Sequence, residues 1–314
     1  MCLRRVVRGV CYTAFSAEKN QGMSVLPSAM PRLRSGPARA PRIDRLGWSG
    51  GTCIDSYGVR VGIRFNEPHL LERLEPHLPP GWEPAPSPLV DRLFSLWVDP
   101  NGGASPRPTR VYEGRHRRAR TASLAEALTT LESEIRQSVA ADTRERVFVH
   151  AGVVGWKSHA IVIPGRSRTG KTTLVAELVK AGAEYYSDEF AVLDSQGRVH
   201  PFPKPLSIRG RGGCDRHARR QSAEELGGVC GRGPLTVGQV VLAEYREGAV
   251  WRPTRLTPGQ AVLQLMAHTV PARIRPEASL AALERAVVQA LVLKGERGEA
   301  CELARRLLEQ GDLL

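Results

Sequence analysis

Short runs of alternating and of continuous apolar residues predict an α/β protein with strands in both halves of the chain. Residues 57–64 alternate between apolar and polar, as a half-buried strand does. Further strand candidates are 93–98, 109–112, 147–149, 160–163 and 235–245. Helical spacing predicts helices over 68–77, 124–139, 173–180, 258–267, 279–290 and 300–309, the second of them capped by Ser123. Residues 288–294 fit either a longer helix or a closing strand.

These patterns divide the chain into three parts. Residues 1–47 lack periodicity, contain four prolines and carry nine basic residues against two acidic ones, which predicts a disordered basic tail. Met23 and Met30 lie inside this tail and are alternative start positions. Residues 48–142 predict a small α/β accessory domain without recognisable chemistry, and residues 143–314 predict the main domain. Within it, the Gly- and Arg-rich stretch 210–233 predicts a mobile loop.

The most informative stretch is 165–173, Gly-Arg-Ser-Arg-Thr-Gly-Lys-Thr-Thr, which contains the phosphate-binding motif G-x-x-x-x-G-K-[ST]. A predicted strand precedes it and a predicted helix follows, as the motif requires. Backbone N–H groups of such a loop converge on phosphate oxygens, and the helix N-terminus adds positive potential. Lys171 would contact the β- and γ-phosphates and Thr172 would ligate Mg²⁺. The expected nucleotide-binding residues are Gly165, Arg166, Ser167, Arg168, Thr169, Gly170, Lys171, Thr172 and Thr173.

Phosphoryl transfer also requires an acidic residue, and the sequence offers two candidates. Asp194 follows the apolar run 191–193, as a metal-ligating aspartate would, but the Ser-Gln-Gly after it is typical of a turn. Asp188 precedes it by about one strand. In an extended chain Asp188 and Glu189 point to opposite faces, so Asp188 would face the γ-phosphate and Glu189 would lie elsewhere. We therefore favour Asp188.

Composition narrows the classes of partner. The net charge is +13, but the predicted tail carries over half of it and aromatic residues are 5%, so we do not expect nucleic-acid binding. No apolar run is long enough to span a bilayer and no convincing signal peptide is present, so we expect a cytoplasmic protein without membrane partners. The six cysteines form no C-x-x-C pair and match no zinc spacing, which predicts free thiols.

Four motifs occur in an order that resembles the HPr kinase/phosphorylase-like family. They are His150, the loop 165–172, the stretch 182–189 and the stretch 206–210. The series is particularly similar to the small homologues found beside peptide natural-product genes, including the lasso-peptide kinases. The resemblance covers roughly residues 146–295. It implies a phosphoenolpyruvate-carboxykinase-like P-loop core with a mixed sheet.

The resemblance also implies roles for individual residues. Lys171 and Thr172 would hold ATP and Mg²⁺, and Glu189 would assist the metal. Asp188 would act as the base toward the acceptor hydroxyl. His150 would lie near the transferring phosphate, and Arg209 would stabilise charge on the phosphoryl oxygens.

The sequence departs from the family pattern at three positions. Glu189 replaces an aspartate, and Arg168 replaces a glycine. Ser207 stands where the bifunctional enzymes have a glutamate, which argues against phosphorylase activity and against HPr as the acceptor.

The sequence thus predicts a Mg²⁺- and ATP-dependent kinase that phosphorylates a serine-type hydroxyl of a small peptide or protein. One alternative is a nucleotide-binding sensor module that transfers no phosphate. Another is an HPr serine kinase proper. The preference for ATP over GTP and the formation of a homo-oligomer stay open.

Overall fold

A computed structural model of the chain describes residues 32–33, 42–100, 107–165, 169–208 and 219–311. The chain divides into two compact units between Glu145 and Arg146. Most of the predicted basic tail lies outside the described residues. Its last part, 42–47, is folded: Ile43 is buried and Asp44 pairs with Arg64 at 2.7 Å.

The N-terminal unit is built on a six-stranded sheet covered by one long helix. The strands of the unit, six of which form this sheet, are β1 (Arg32–Leu33), β2 (Gly50–Ser56), β3 (Val59–Phe65), β4 (Glu83–Pro84), β5 (Leu89–Val90), β6 (Arg92–Trp97), β7 (Thr109–Glu113) and β8 (His116–Thr121). The helices are α1 (Leu70–Leu74) and α2 (Leu124–Asp142). The sheet order is β4-β2-β3-β6-β7-β8, with only β3 and β6 parallel, and β1 pairs separately with β5.

Local signals determine several boundaries of this unit. The Ser123 hydroxyl accepts a hydrogen bond from the Glu126 N–H, as predicted for the cap of α2. The predicted strand 57–64 begins later, because Tyr57 and Gly58 both have positive φ and form the β2–β3 hairpin turn. Helix α2 buries Leu128, Leu131 and Ile135 in the core of the unit.

The C-terminal unit contains the motif residues. Its strands are β9 (Val147–Trp156), β10 (His159–Pro164), β11 (Glu184–Ser187), β12 (Phe190–Leu193), β13 (Val199–His200), β14 (Leu206–Ile208), β15 (Arg219–Gln221), β16 (Thr236–Tyr245), β17 (Thr254–Arg255) and β18 (Leu291–Arg297). The helices are α3 (Lys171–Lys180), α4 (Pro258–Met266), α5 (Pro276–Val287) and α6 (Ala300–Gly311).

The eight-stranded sheet of this unit is mixed, as predicted. Its order is β13-β12-β9-β10-β16-β18-β17; β10, β16 and β18 run parallel, and the other pairs are antiparallel. Strand β11 also pairs with β9, on the same edge as β12. Helices α4 and α5 contribute to one core cluster, α3 and α6 to another. The sheet therefore lies between two helical layers.

Strand β9 is longer than the sequence predicted. The sequence predicted a strand end at His150, but β9 continues through Gly152 and Gly155. A Cβ at Gly152 would lie 2.5 Å from a methyl group of Val175, and one at Gly155 would lie 2.8 Å from the Tyr186 ring. These glycines allow close packing and do not form a turn.

Two other segments differ from expectation. From residue 219 the predicted loop 210–233 is ordered, because β15 pairs with β14 and the Gly231 N–H donates to the Tyr185 carbonyl at 2.9 Å. Residues 210–218 lie outside the described residues. Residues 291–297 form a strand, which decides the question that periodicity left open.

Two findings bear on the expectations from composition. Cys230 is disulfide-bonded, whereas the sequence predicted free thiols; spacing along the chain does not reveal which cysteines meet in space. Cys53 and Cys301 are free. Across the described residues, no helix is both long and apolar enough to cross a membrane.

Candidate functional site

The glycine-rich motif lies between strand β10 and helix α3, as the sequence predicted. Gly165 follows the strand, and its N–H donates to the His150 carbonyl at 3.2 Å. Gly170 caps α3 with φ of +81°, a conformation that favours glycine. Arg166, Ser167 and Arg168 lie outside the described residues. Helix α3 begins at Lys171. As in any α-helix, the N–H groups of its first turn have no partners within the helix, and an anion-binding helix end requires such donors.

Lys171 lies close to the start of this motif and to two carboxylates. A Cβ at Gly165 would lie 3.4 Å from the Lys171 Cδ, so the absence of a side chain there leaves room for the lysine. Burial lowers the pKa of Lys171, while the charges of Asp188 and Glu189 act in the opposite direction. The lysine is therefore a half-buried cation facing an acidic pair.

The acidic pair lies at the junction of β11 and β12, where both strands pair with one edge of β9. The Ser187 hydroxyl accepts from the N–H groups of Glu189 and Phe190, at 3.1 and 3.0 Å. The Ala151 N–H donates to the Glu189 carbonyl at 3.1 Å. The middle of β9 thus fixes the backbone of the acidic pair.

Asp188 is 7% exposed, and both of its carboxylate oxygens have polar neighbours. Its Oδ2 lies 3.4 Å from the Thr172 hydroxyl and 3.5 Å from the Ser207 N–H. Its Oδ1 lies 3.3 Å from the Tyr185 hydroxyl and 2.8 Å from the Lys204 ammonium. The structure therefore brings Asp188 to the first turn of α3.

Glu189 does not lie on the opposite side, as alternation in an extended chain would require. Its Oε2 is 3.8 Å from the Lys204 ammonium, so both carboxylates face one cation. Asp188 and Glu189 form a bend between two strands, and side-chain alternation does not apply to a bend.

Asp194, the alternative acid, is held in a turn. Its Oδ1 accepts from the N–H groups of Gln196 and Arg198, and its Oδ2 lies 2.9 Å from both His200 Nε2 and the Arg198 guanidinium. Burial raises the pKa of Asp194, but the bonds from His200, Arg198 and Gln196 outweigh it and lower the value to about 2. Asp194 therefore stabilises the turn between β12 and β13.

We expect Asp194→Asn to destabilise the protein by about 1–2 kcal/mol at pH 7 without changing nucleotide affinity, because it removes the ion pair with Arg198 and leaves donors facing the amide. The folded-state pKa lies below the ordinary 3.8. The deficit should therefore be complete above about pH 4 and shrink as the pH falls toward 2. Urea unfolding and calorimetric ATP titration measure both effects. A large loss of ATP affinity would contradict the structural role.

His150 lies in the middle of β9 and faces the motif. Its N–H donates to the His268 carbonyl at 2.8 Å, and its ring centroid is 4.8 Å from that of Phe190. Burial lowers the pKa of His150, and the charges of Lys171 and His268 lower it further. The imidazole is therefore favoured in its neutral form beside Lys171. Arg209, the other residue expected to act on the phosphoryl group, lies outside the described residues.

Sequence reasoning missed three residues around this site. The Tyr185 hydroxyl lies 3.3 Å from Asp188 Oδ1; burial and then the Asp188 charge raise the pKa of Tyr185 well above the ordinary value. Lys204, which lies between Pro203 and Pro205, contacts both acids. One signal for Lys204 was available, since only six of the 45 basic residues are lysines.

Arg297, at the end of β18, is the third. Its guanidinium donates to the Gly170 carbonyl at 3.1 Å and to the Gly298 carbonyl at 2.9 Å. The residue is 3% exposed, and burial lowers the pKa of its guanidinium. Arg297 thus fixes the backbone at the start of α3, although no pattern connects it to the motif in the sequence.

The donor atoms of the site suit a hard cation. The Thr172 hydroxyl and the carboxylates of Asp188 and Glu189 are oxygen ligands, which Mg²⁺ prefers. Within the described ranges, no group of three or more His, Cys, Asp or Glu side chains is placed to hold a metal ion. Thr172, Asp188 and Glu189 could supply oxygen ligands to Mg²⁺ together with phosphate oxygens.

Comparisons with known proteins add little to this geometry. No protein-family model and no curated protein matches the chain. Among solved structures, the Hpr(Ser) kinase/phosphatase from Coxiella burnetii is similar to 53% of this chain and 96% of its own, with 14% sequence identity and a TM-score of 0.32. A superposition this weak establishes neither fold nor activity, so any function has to be inferred from the residues of the site.

Proposed function

We propose that this protein is an ATP- and Mg²⁺-dependent kinase that transfers the γ-phosphoryl group to a serine-type hydroxyl of a small peptide or protein. The observation that carries the proposal is the meeting of three sequence-distant elements. The Gly170-capped start of α3 supplies Lys171 and Thr172, the β11–β12 junction supplies Asp188, and β9 supplies His150. The nature of the acceptor comes from the resemblance of the motif series to the HPr kinase-like family.

In this proposal, each residue acts on one part of the reaction. The first-turn N–H groups of α3 and the Lys171 ammonium bind the β- and γ-phosphates. Thr172 and Glu189 would hold Mg²⁺, which when bound supplies positive charge to the phosphate oxygens. Asp188 accepts the proton of the acceptor hydroxyl. Neutral His150 orients the terminal phosphate beside Lys171, and Arg209 neutralises charge on the phosphoryl oxygens.

Asp188 suits the role of base because its position is fixed and it is close to the phosphate-binding turn. Its carboxylate lies 3.4 Å from the Thr172 hydroxyl, and the Tyr185 hydroxyl and the Ser207 N–H restrict its rotation. A base that is held in place before the acceptor arrives reduces the cost of orientation during transfer. Asp194, tied to Arg198 and His200, offers no such placement.

Intact-mass measurement tests the proposal directly. The purified chain is incubated with ATP, Mg²⁺ and the short peptides encoded beside its gene, and we expect an acceptor to gain one or more phosphates of about 80 Da. Asp188→Asn serves as the inactive variant and Asp194→Asn as the matched control with the same chemical change. Tight ATP binding without any mass gain across the peptides would favour the sensor alternative.

A further inference from the structure

Lys204 is a half-buried lysine that contacts the acidic pair through its ammonium and, by way of Tyr185, through its backbone carbonyl. Its ammonium lies 2.8 Å from Asp188 Oδ1 and 3.8 Å from Glu189 Oε2, and its side chain is 10% exposed. Its backbone carbonyl accepts a hydrogen bond from the Tyr185 hydroxyl at 2.7 Å, and that hydroxyl also reaches Asp188. Proline on each side limits the backbone of Lys204 further. The lysine is thus placed by the same residues that place the acids.

The charges of this cluster explain why a cation is needed. The Asp188 and Glu189 side chains are 3% and 18% exposed, so water solvates them poorly. Two adjacent carboxylates in such surroundings repel each other and lose hydration, and an ammonium close to both of them offsets both costs. Lys171 raises the local positive charge but lies on the side of the phosphate-binding turn.

The same two carboxylates supply the negative charge that attracts Mg²⁺, with Glu189 as its proposed acidic ligand and Asp188 beside it. With the ammonium in place the trio of charges sums to one negative charge, and a divalent cation is attracted far less than by two free carboxylates. Nucleotide phosphates would change this balance, because they add negative charge that attracts both the metal and the ammonium.

We propose that Lys204 is a resident counter-ion of the Asp188–Glu189 pair, which keeps divalent metal off these carboxylates until a nucleotide arrives and holds Asp188 in position meanwhile. The inference rests on the proposed function, since it takes Glu189 as the metal-binding acid and Asp188 as the base of the kinase. Lys204 is accordingly a positioning residue that acts through Asp188 and Glu189.

The test measures metal binding and stability in the absence of nucleotide, using Mn²⁺ as the probe. Electron paramagnetic resonance gives the Mn²⁺ affinity, and thermal unfolding with and without Mn²⁺ gives the stabilisation. We expect wild-type protein to bind Mn²⁺ weakly. Lys204→Met should bind it about tenfold more tightly or better, unfold at lower temperature without metal, and gain more stability from Mn²⁺ than wild type does.

Two further variants separate charge from packing. Lys204→Arg keeps the cation and should retain the weak Mn²⁺ binding of wild type. Lys180→Met removes an exposed lysine that pairs with Glu177 at the far end of α3, and it should change neither readout. If Lys204→Met folds but binds Mn²⁺ no more tightly than wild type, the proposal is wrong.

Should Lys204→Met fail to fold without metal, the double variant Lys204→Met/Glu189→Gln decides. It again leaves one negative charge in the cluster, so we expect it to fold and to bind Mn²⁺ as weakly as wild type. A double variant that also fails to fold would overturn the proposal, because Lys204 would then be needed for packing.

These readouts are independent of phosphoryl transfer. If Lys204→Met changes Mn²⁺ binding in a chain that phosphorylates no peptide, the counter-ion role of Lys204 is supported and the kinase proposal is contradicted. If transfer is active and depends on Asp188, but Lys204→Met binds Mn²⁺ as wild type does, the kinase proposal is supported and the counter-ion role is contradicted.

Discussion

Asp188→Asn is expected to lower the rate of phosphoryl transfer by about 10²–10⁴-fold while ATP affinity changes little. Asparagine has the shape of aspartate and keeps an acceptor for the Tyr185 hydroxyl, but it cannot take the proton of an acceptor hydroxyl. The loss should therefore fall on kcat, with the KM for ATP nearly unchanged. Initial rates over a range of ATP concentrations, followed by phosphopeptide mass, separate the two parameters.

Asp194→Asn is the control, because it makes the same chemical change at a turn whose partners are Arg198 and His200. It should transfer phosphate at nearly the wild-type rate, after correction for the folded fraction. Near-wild-type transfer by Asp188→Asn would remove Asp188 as the base, and a severe loss in Asp194→Asn would move that role to the turn.

Lys171→Ala is expected to lower kcat/KM for ATP by about 10³-fold, which corresponds to about 4 kcal/mol of lost transition-state stabilisation. The ammonium would contact the phosphates where charge develops, and no other described lysine is placed at the start of α3. Its pKa is lowered by burial, so keeping the charge there costs free energy in the empty protein. Removing it should therefore leave the melting temperature unchanged or slightly raised.

Lys180→Ala provides a matched control on the same helix, since Lys180 is exposed at the opposite end of α3. Calorimetric ATP titration and turnover should be unaffected by it. If Lys171→Ala matched Lys180→Ala in both measurements, the phosphate-binding role of the 165–173 loop would have to be abandoned.

Local patterns were enough to predict most elements around the site. The apolar run 160–163 and the helical spacing after Thr173 correspond to β10 and α3, and Ser123 caps α2 as expected. The turn at Asp194 was also predicted, because Ser-Gln-Gly offers few alternatives to a turn. Each of these features depends on residues within a few positions of one another, where propensity and hydrogen bonding act directly.

The incorrect strand and loop predictions came from interpreting glycines by their sequence neighbours alone. Gly152 and Gly155 resemble a break between strands, yet β9 passes through both because Val175 and Tyr186 pack against them. Gly231, in the predicted loop 210–233, also allows close packing, because a Cβ there would lie 1.9 Å from the Tyr186 ring. A glycine needed for close approach and a glycine needed for a turn are identical in sequence, and only the packed neighbours distinguish them.

By itself, the sequence determined the α/β class, the phosphate-binding motif with its flanking strand and helix, and a preference for Asp188 over Asp194. Tertiary structure decided what surrounds that motif. It set Lys204 against both acids, put Glu189 on the same side as Asp188, and brought Arg297 to the carbonyl of Gly170 across 127 positions of the chain. Contacts over such separations leave no periodic pattern in the sequence. They arise only when the strands of the sheet are assembled in order and the bend between β11 and β12 turns both carboxylates toward Lys204.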